Sequence, residues 1–212
     1  MLKIHALTYN PWQENTYLIA AENGDCIVVD PGCLSDEEQQ NLVSYMADNH
    51  LKPVRLLNTH LHLDHVFGNR FVCQHYGLSA EAHQADEFWI EQTVPYAAQM
   101  GFTLTENPPA LKRYLEHDQI IEFGGSTIKV LHVPGHSPGG VALYMEQEGV
   151  LIAGDALFRE SIGRSDLPGG DFDTLITAIK THLLTLPDQT VIYSGHGPSS
   201  TIAHEKIHNQ FL

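Results

Sequence analysis

Apolar and polar positions change their period along this chain, and the period marks out the elements. Leu2 to Thr8 alternates and predicts a half-buried strand, and Thr16 to Ala20 predicts a second. Cys26-Ile-Val-Val-Asp30 is a continuous apolar run, as in a strand covered on both faces, and it ends in an Asp30-Pro-Gly turn. From Ser35 the period becomes helical. Ser35 and Glu38 form a capping-box pair, and the helix is expected to run to about Asn49. Val54 to Asn58 returns as a buried strand. Residues 67–77 and 84–92 predict short helices. The stretch from Gln92 to Glu116, with Pro95, Gly101 and Pro108-Pro109, predicts irregular chain long enough to form a lid, with Tyr96, Phe102 and Tyr114 as its apolar contacts. Ile120 to Phe123 and Thr127 to His132 flank Gly124-Gly125 as a hairpin. Val141 to Met145 pairs with Val150 to Ala153. A helix over Phe172 to Leu184, a strand at Thr190 to Tyr193 and a helix after Thr201 close the series. Strands and helices thus occur twice in similar order, without a sequence repeat. With no linker or low-complexity stretch, residues 1–212 are expected to form one domain of mixed α and β structure.

Composition narrows the function. Of 212 residues, 42% are hydrophobic and 17% charged, as in a globular protein. The formal net charge is −15 and the eleven Lys and Arg are scattered, which opposes any broad contact with nucleic acid. Cys26, Cys33 and Cys73 have no metal-ligand spacing and suit a reducing compartment. The N-terminus lacks the apolar core of a signal peptide, and no apolar run approaches the ~18–20 residues needed to span a bilayer. A cytoplasmic location, with neither membrane nor nucleic acid as partner, is the expectation.

The chemistry gathers just beyond the strand at Val54 to Asn58. There the run Thr59-His-Leu-His-Leu-Asp-His-Val-Phe-Gly-Asn69 places His60, His62, Asp64 and His65 at a strand mouth, where α/β sheets collect their ligands. Downstream stand His136 in Pro-Gly-His-Ser, Asp155 in Ala-Gly-Asp-Ala and His196 in Ser-Gly-His-Gly. Each contributor lies beside a glycine (Gly68, Gly135, Gly154 or Gly195), which lets the chain turn sharply at a strand end. Imidazoles and carboxylates are the donors a catalytic zinc site takes, and two metals ~3.5–4 Å apart can share a hydroxide. His60 and His62, two apart on extended chain, point the same way and could hold one metal with His136. Asp64 and His65 point to the other side and could hold a second with His196, with Asp155 as bridge. The other nine histidines, such as His5, His50 and His208, carry no such pattern.

His60-x-His62-x-Asp64-His65 followed by His136, Asp155 and His196 resembles the metallo-β-lactamase superfamily along the whole chain. The resemblance implies an αββα sandwich with two mixed sheets flanked by helices and a dinuclear site at one edge. Asp30 matches an acidic position that braces the metal loop there, and Asn15-Thr-Tyr17 is typical of the group. Gly154-Asp-Ala-Leu-Phe158, Ser161-Ile-Gly-Arg-Ser-Asp-Leu-Pro-Gly-Gly-Asp171 and the ending around Gly195-His-Gly-Pro198 are similar to the short form of the glyoxalase II (hydroxyacylglutathione hydrolase) branch, which lacks the helical C-terminal domain of the full-length enzymes. That similarity implies hydrolysis of a small-molecule thioester such as S-lactoylglutathione. Asp64 and Asp155 would act through a metal-bound hydroxide. The two divalent ions are expected to be Zn, with Fe or Mn as the other choices. A thiolate, with a solution pKa near ~8.5, leaves without a strong proton donor, and no donor stands out in the sequence.

Arg164 occupies the position of a basic residue that contacts glutathione. Two tyrosines usual in that branch are replaced here, by Pro198 and Asp166. Other readings stay open. A persulfide dioxygenase would hold one iron through His60, His136 and Asp155, although its usual ending, Ala-His-Asp-Tyr, is here Gly-His-Gly-Pro. A lactonase or other esterase uses the same skeleton. The charge disfavours a nuclease, and a binding module without catalysis would be expected to have lost ligands that are present here.

Overall fold

A computed structural model describes residues 1–212. Six strands, β1 (Lys3–Tyr9), β2 (Glu14–Ala20), β3 (Asp25–Val29), β4 (Lys52–Leu57), β5 (Ala80–Ala82) and β6 (Arg113–Tyr114), lie side by side in chain order. The first three run antiparallel, and from β3 to β6 the pairing is parallel. The second sheet uses β7 (Ile120–Phe123), β8 (Ser126–His132), β9 (Val141–Met145), β10 (Val150–Gly154), β13 (Val191–Ser194) and β14 (Ser200–Thr201), in the order β14-β13-β10-β9-β8-β7. Only β10 and β13 pair parallel in it. Two short strands, β11 (Leu157–Phe158) and β12 (Ser161–Ile162), form a separate hairpin.

The near-continuous apolar strands follow from burial on both faces. Along β2, Tyr17 and Ile19 enter the core between the sheets, while Leu18 and Ala20 face the outer helices. Ile27 and Val29 of β3 point inward, and Cys26 and Val28 outward. In the second sheet Val141, Leu143 and Met145 meet them from the other side, while Ala142 and Tyr144 turn away. The outer face of the first sheet is covered by α1 (Asp36–Asp48) through Leu42 and Met46, and by α3 (Asn69–Tyr76) through Val72 and Cys73. That of the second is covered by α5 (Phe172–Ala178), which continues as a π-helix to Leu183, and by Ile202 of α6 (Ile202–His208). The result is the expected sandwich of two mixed sheets between helices. No helix is long and apolar enough to cross a membrane.

The capping box of α1 is present, with Ser35 accepting from the Glu38 N–H and the Glu38 carboxylate accepting from the Ser35 N–H. The expected irregular segment needs correction. Gln84–Asp86 is a single 3₁₀ turn, and α4 runs from Phe88 to Gln99 with Pro95 inside it. Proline removes one helical hydrogen bond. Here the buried face of Trp89, Thr93 and Ala97 holds the helix together, and the Asn107 side chain accepts from the Val94 N–H. Irregular chain is confined to residues 100–112. Phe102 packs on Trp12 and Phe67, with ring centroids 5.0 and 5.3 Å away. Short β5, β6, β11 and β12 were not foreseen, nor was α2 (Leu63–Val66), which carries Asp64 and His65.

All three thiols are free and buried. Burial pushes Cys26 and Cys33 up to about 12 and raises Cys73 as well. Thiolate is the reactive form, so Ellman's reagent at about pH 8 should leave the native protein unmodified over minutes and count three thiols after unfolding. Rapid modification of any thiol in the native state would contradict this packing.

Candidate metal centre

The rim of the sandwich is where the candidate residues meet. β4 delivers His60 and His62, α2 delivers Asp64 and His65, the loop after β8 delivers His136, β10 ends at Asp155 and β13 ends at His196. Three groups of side chains there have the spacing to hold a metal ion: His60, His62 and His136, beside them Asp64, His65 and His196, and behind both Asp30, His60 and His65. In the first, His62 Nδ1 lies 2.9 Å from His136 Nε2, which lies 3.2 Å from His60 Nε2. In the second, His196 Nε2 is 3.0 Å and His65 Nε2 3.8 Å from Asp64 Oδ2. Asp155 faces both of these groups, with Oδ1 3.4 Å from His65 Nε2 and Oδ2 3.5 Å from His136 Nε2 and 3.6 Å from His196 Nε2. The structure therefore brings all seven together in the division read from the sequence.

Outer polar contacts of four of the five rings set which nitrogen faces inward; His62 has none and turns its Nδ1 inward. His136 Nδ1 donates to the Arg164 carbonyl at 2.7 Å, and His196 Nδ1 to the Trp12 carbonyl at 3.0 Å. The Thr59 hydroxyl donates to Asp30, so its oxygen is left to accept from His60 Nδ1 at 3.1 Å. His65 Nδ1 sits 3.1 Å from Asp30 Oδ2. With the Nδ1 atoms of His60, His136 and His196 so engaged, three Nε2 lone pairs converge on one small buried space, with His65 Nε2 beside them. His60 Nε2 and His136 Nε2, each ring's proton held on Nδ1, face each other at 3.2 Å with no proton between them, an arrangement that a cation relieves. His65 Nε2 and Asp155 Oδ1 are buried without a hydrogen-bond partner, as metal donors are when the ion is left out. The donor set fits divalent metal.

Charge divides between the first two groups. Burial drives His60 well below its ordinary value and His62 to about 3, with neighbouring imidazoles adding to the effect, so these two rings are neutral. In the other group burial opposes ionisation of Asp64 and Asp155, but the facing His65 imidazole overrides it and holds both carboxyls low. For His65 the opposite balance holds: burial lowers it, and Asp155, Asp64 and Asp30 together raise it. The first group thus offers the neutral nitrogens of His60 and His62, and the second sets two ionised carboxylates against His65.

Two buried carboxylates hold the ligand loops. Asp30, in a left-handed conformation at φ 50, accepts from the Thr59 N–H at 2.7 Å and the Thr59 hydroxyl at 2.5 Å. Asp86 was not foreseen. Its Oδ2 accepts from the Leu61 N–H at 3.0 Å, between His60 and His62, and its Oδ1 from the Ser137 hydroxyl and the Gly139 N–H at 2.5 Å each, beside His136. Nothing local distinguishes Asp86 in sequence from a surface carboxylate. Glu14 was also missed. It is fully buried, with Oε1 3.9 Å from His65 Nδ1. Asn15 and Tyr17 fix the last ligand loop: the Asn15 N–H donates to the Gly195 carbonyl at 2.7 Å, its side chain to the Ser194 and Gly197 carbonyls, and the Tyr17 hydroxyl to Ser194 O at 2.6 Å. At Gly195 the chain passes so near Asp155 that a Cβ would run into its carboxylate.

A cleft of about 600 Å³ opens from the centre, reaching from His136, Asp155 and His196 to Phe158, Arg159, Arg164 and Pro198. Arg164 is in place, but its guanidinium donates twice to Asp166, at 2.7 and 2.8 Å. Tyr96, Phe102 and Tyr114 do not line this cleft.

Asp86→Ala would leave two backbone N–H donors and a hydroxyl unpaired in the interior. It should cost about 2–4 kcal/mol in urea unfolding and weaken metal affinity about 10–100-fold, with Asp86→Asn in between. Unchanged unfolding and unchanged metal content would show that Asp86 does not brace the loops.

Comparison with known proteins agrees with this geometry. The family model of the metallo-beta-lactamase superfamily matches residues 9–196. The hydroxyacylglutathione hydrolase GloC of Haemophilus influenzae is 32% identical over 212 residues, covering 100% of this chain and 98% of its own. The crystal structure of BLEG-1 B3 metallo-beta-lactamase superposes with a TM-score of 0.90 at 33% identity, covering 99% of each chain. That of TTHA1623 in a di-iron-bound form gives 0.87 at 35%, covering 98% of this chain and 100% of that one. From its fold, its rim of histidines and carboxylates and these matches, the chain belongs to the metallo-β-lactamase superfamily of metal-dependent hydrolases.

Proposed function

We propose that this chain hydrolyses a small acyl thioester of the S-lactoylglutathione type at a dinuclear metal centre. The observation that carries the reading is the second donor group: Asp64, His65 and His196 stand beside His60, His62 and His136, with Asp155 facing both. A single-iron dioxygenase would need only His60, His136 and Asp155, and would leave His62, Asp64, His65 and His196 without a task. His60, His62 and His136 would hold one ion, Asp64, His65 and His196 the other, and Asp155 both. Zinc suits these donors, and iron or manganese is compatible with them. When bound, such ions supply an activated water and positive charge opposite a developing oxyanion.

The side chains around the centre supply orientation. The Arg164 and Trp12 carbonyls fix the His136 and His196 rings, and Asp30 and Asp86 hold the loops that carry the other ligands. The leaving group is chosen by what the cleft lacks. Glu160 lines it, but its hydrogen bond from His204 holds the carboxyl below its ordinary value, so it stays ionised and is no proton donor. An amine leaving from an amide or β-lactam needs a proton, whereas a thiolate departs without one. The name of the Haemophilus relative, hydroxyacylglutathione hydrolase, supports a thioester of glutathione or a related thiol. Buried free thiols suit a reducing, cytoplasmic setting.

Elemental analysis beside an anaerobic assay with S-lactoylglutathione tests the reading. About two metals per chain and thiol release without oxygen are expected. One iron, no hydrolysis and oxygen uptake with glutathione persulfide would move the chain to the dioxygenases. Asp155→Ala should abolish hydrolysis and lower metal content, and unchanged turnover would rule out a bridging role.

A further inference from the structure

We propose that Arg159 is the anion-binding residue of the cleft, and that the substrate's thiol half carries a carboxylate which Arg159 holds. This rests on the thioester reading. Two guanidinium groups line the cleft, and they differ in availability. Arg164 is engaged fork to fork with Asp166, which leaves no net charge to offer. Arg159 makes no side-chain hydrogen bond. Its nearest carboxylate is Glu160, with Oε1 4.0 Å from Nε, and that oxygen already accepts from His204 Nε2 at 2.8 Å. Arg159 therefore keeps its five donors free at the wall of the cavity.

The position is built rather than loose. Arg159 and Glu160 form the two-residue turn between Phe158 and Ser161, with Glu160 at φ 59. The Glu160 N–H donates to Glu205 Oε2 at 2.9 Å, and Asn209 Nδ2 to the Ser161 carbonyl at 3.0 Å. Glu205 is fully buried and is also tied to Ser200, so helix α6 pins the hairpin from behind. Because the turn's backbone is already anchored, binding there has only the arginine side chain to order.

The ligand's charge follows from the surroundings. Across a chain with net charge −15, an anionic molecule is repelled unless a local cation receives it. A single guanidinium beside the Glu160 carboxylate balances one negative charge, and a doubly charged phosphate would face uncompensated repulsion. A carboxylate matches the fork bidentately. The acyl carbonyl is the part that belongs at the metal centre, so the group recognised farther along the cleft is the thiol half.

Isothermal titration of the metal-loaded protein with S-methylglutathione and with its dimethyl ester tests the assignment without relying on turnover. The parent protein should prefer the free acid about tenfold, in line with one charge-assisted contact. The preference should vanish in Arg159→Gln and survive in Arg164→Gln. Failure to bind the acid, equal binding of acid and ester by the parent, or a preference that persists in Arg159→Gln would overturn it. Hydrolysis of S-lactoylglutathione by the same preparations separates the two claims. A preference without hydrolysis sinks the thioester reading and leaves Arg159 standing, while hydrolysis without a preference sinks Arg159 alone.

Discussion

The structure depends on an arrangement that is unfavourable by itself: lone pairs of buried imidazoles and the oxygens of two carboxylates aimed at the same few cubic ångströms. His136 Nε2 and His60 Nε2 stand 3.2 Å apart with no proton to share, His62 Nδ1 lies 2.9 Å from His136 Nε2, and Asp64 and Asp155 add negative charge beside them. Left free, these groups would rotate away toward water or toward any donor. They are held by bonds on their outer sides. A carbonyl fixes His136, another fixes His196, a hydroxyl fixes His60, and Asp30 faces His65. Each outer bond also selects the inward nitrogen, so that orientation and protonation state are decided together.

The fold makes those outer bonds possible. Strands of both sheets end at one rim, and their loops are stitched across the gap between the sheets. The Asn15 N–H reaches the Gly195 carbonyl and the Val141 N–H reaches the Thr59 carbonyl, so each ligand loop is tied to the sheet opposite its own. Asp86 does the same with a side chain, joining the loop after β4 to the loop after β8. The core of Ile27, Val29, Leu143 and Ile152 sets the distance between the sheets and thereby the distance between the two halves of the centre.

What could be read from the sequence was whatever repeats locally. The strand runs, the capping box at Ser35 and the packed His-x-His-x-Asp-His motif are local signals, and the structure contains them where they were placed. The extension of α4 through Pro95 was hidden because a tertiary face of Trp89, Thr93 and Ala97 outweighs the proline rule. Short strands such as β5 and β11 were hidden because two or three residues carry no period. Asp86 and Glu14 were hidden for a different reason. Each is an ordinary carboxylate in sequence, and its task exists only because residues tens of positions away are folded against it.

The two arginines of the cleft carry this distinction into recognition. Position in a motif singles out Arg164, because it follows Asp155 at the spacing of a basic residue in the glyoxalase II branch that the sequence resembles. Charge availability singles out Arg159, and availability depends on which side chain the turn geometry sets opposite the guanidinium. Asp166, two residues after Arg164, takes the Nε–Nη2 edge of its guanidinium with both oxygens, while Glu160, next to Arg159, is drawn away to His204. The exposed pair of Arg164 and Asp166 contributes little to stability, since water screens it. It still cancels a charge where substrate would enter. Two residues of the same type on one wall are thus given opposite electrostatic roles by carboxylates that a motif search treats as loop filler.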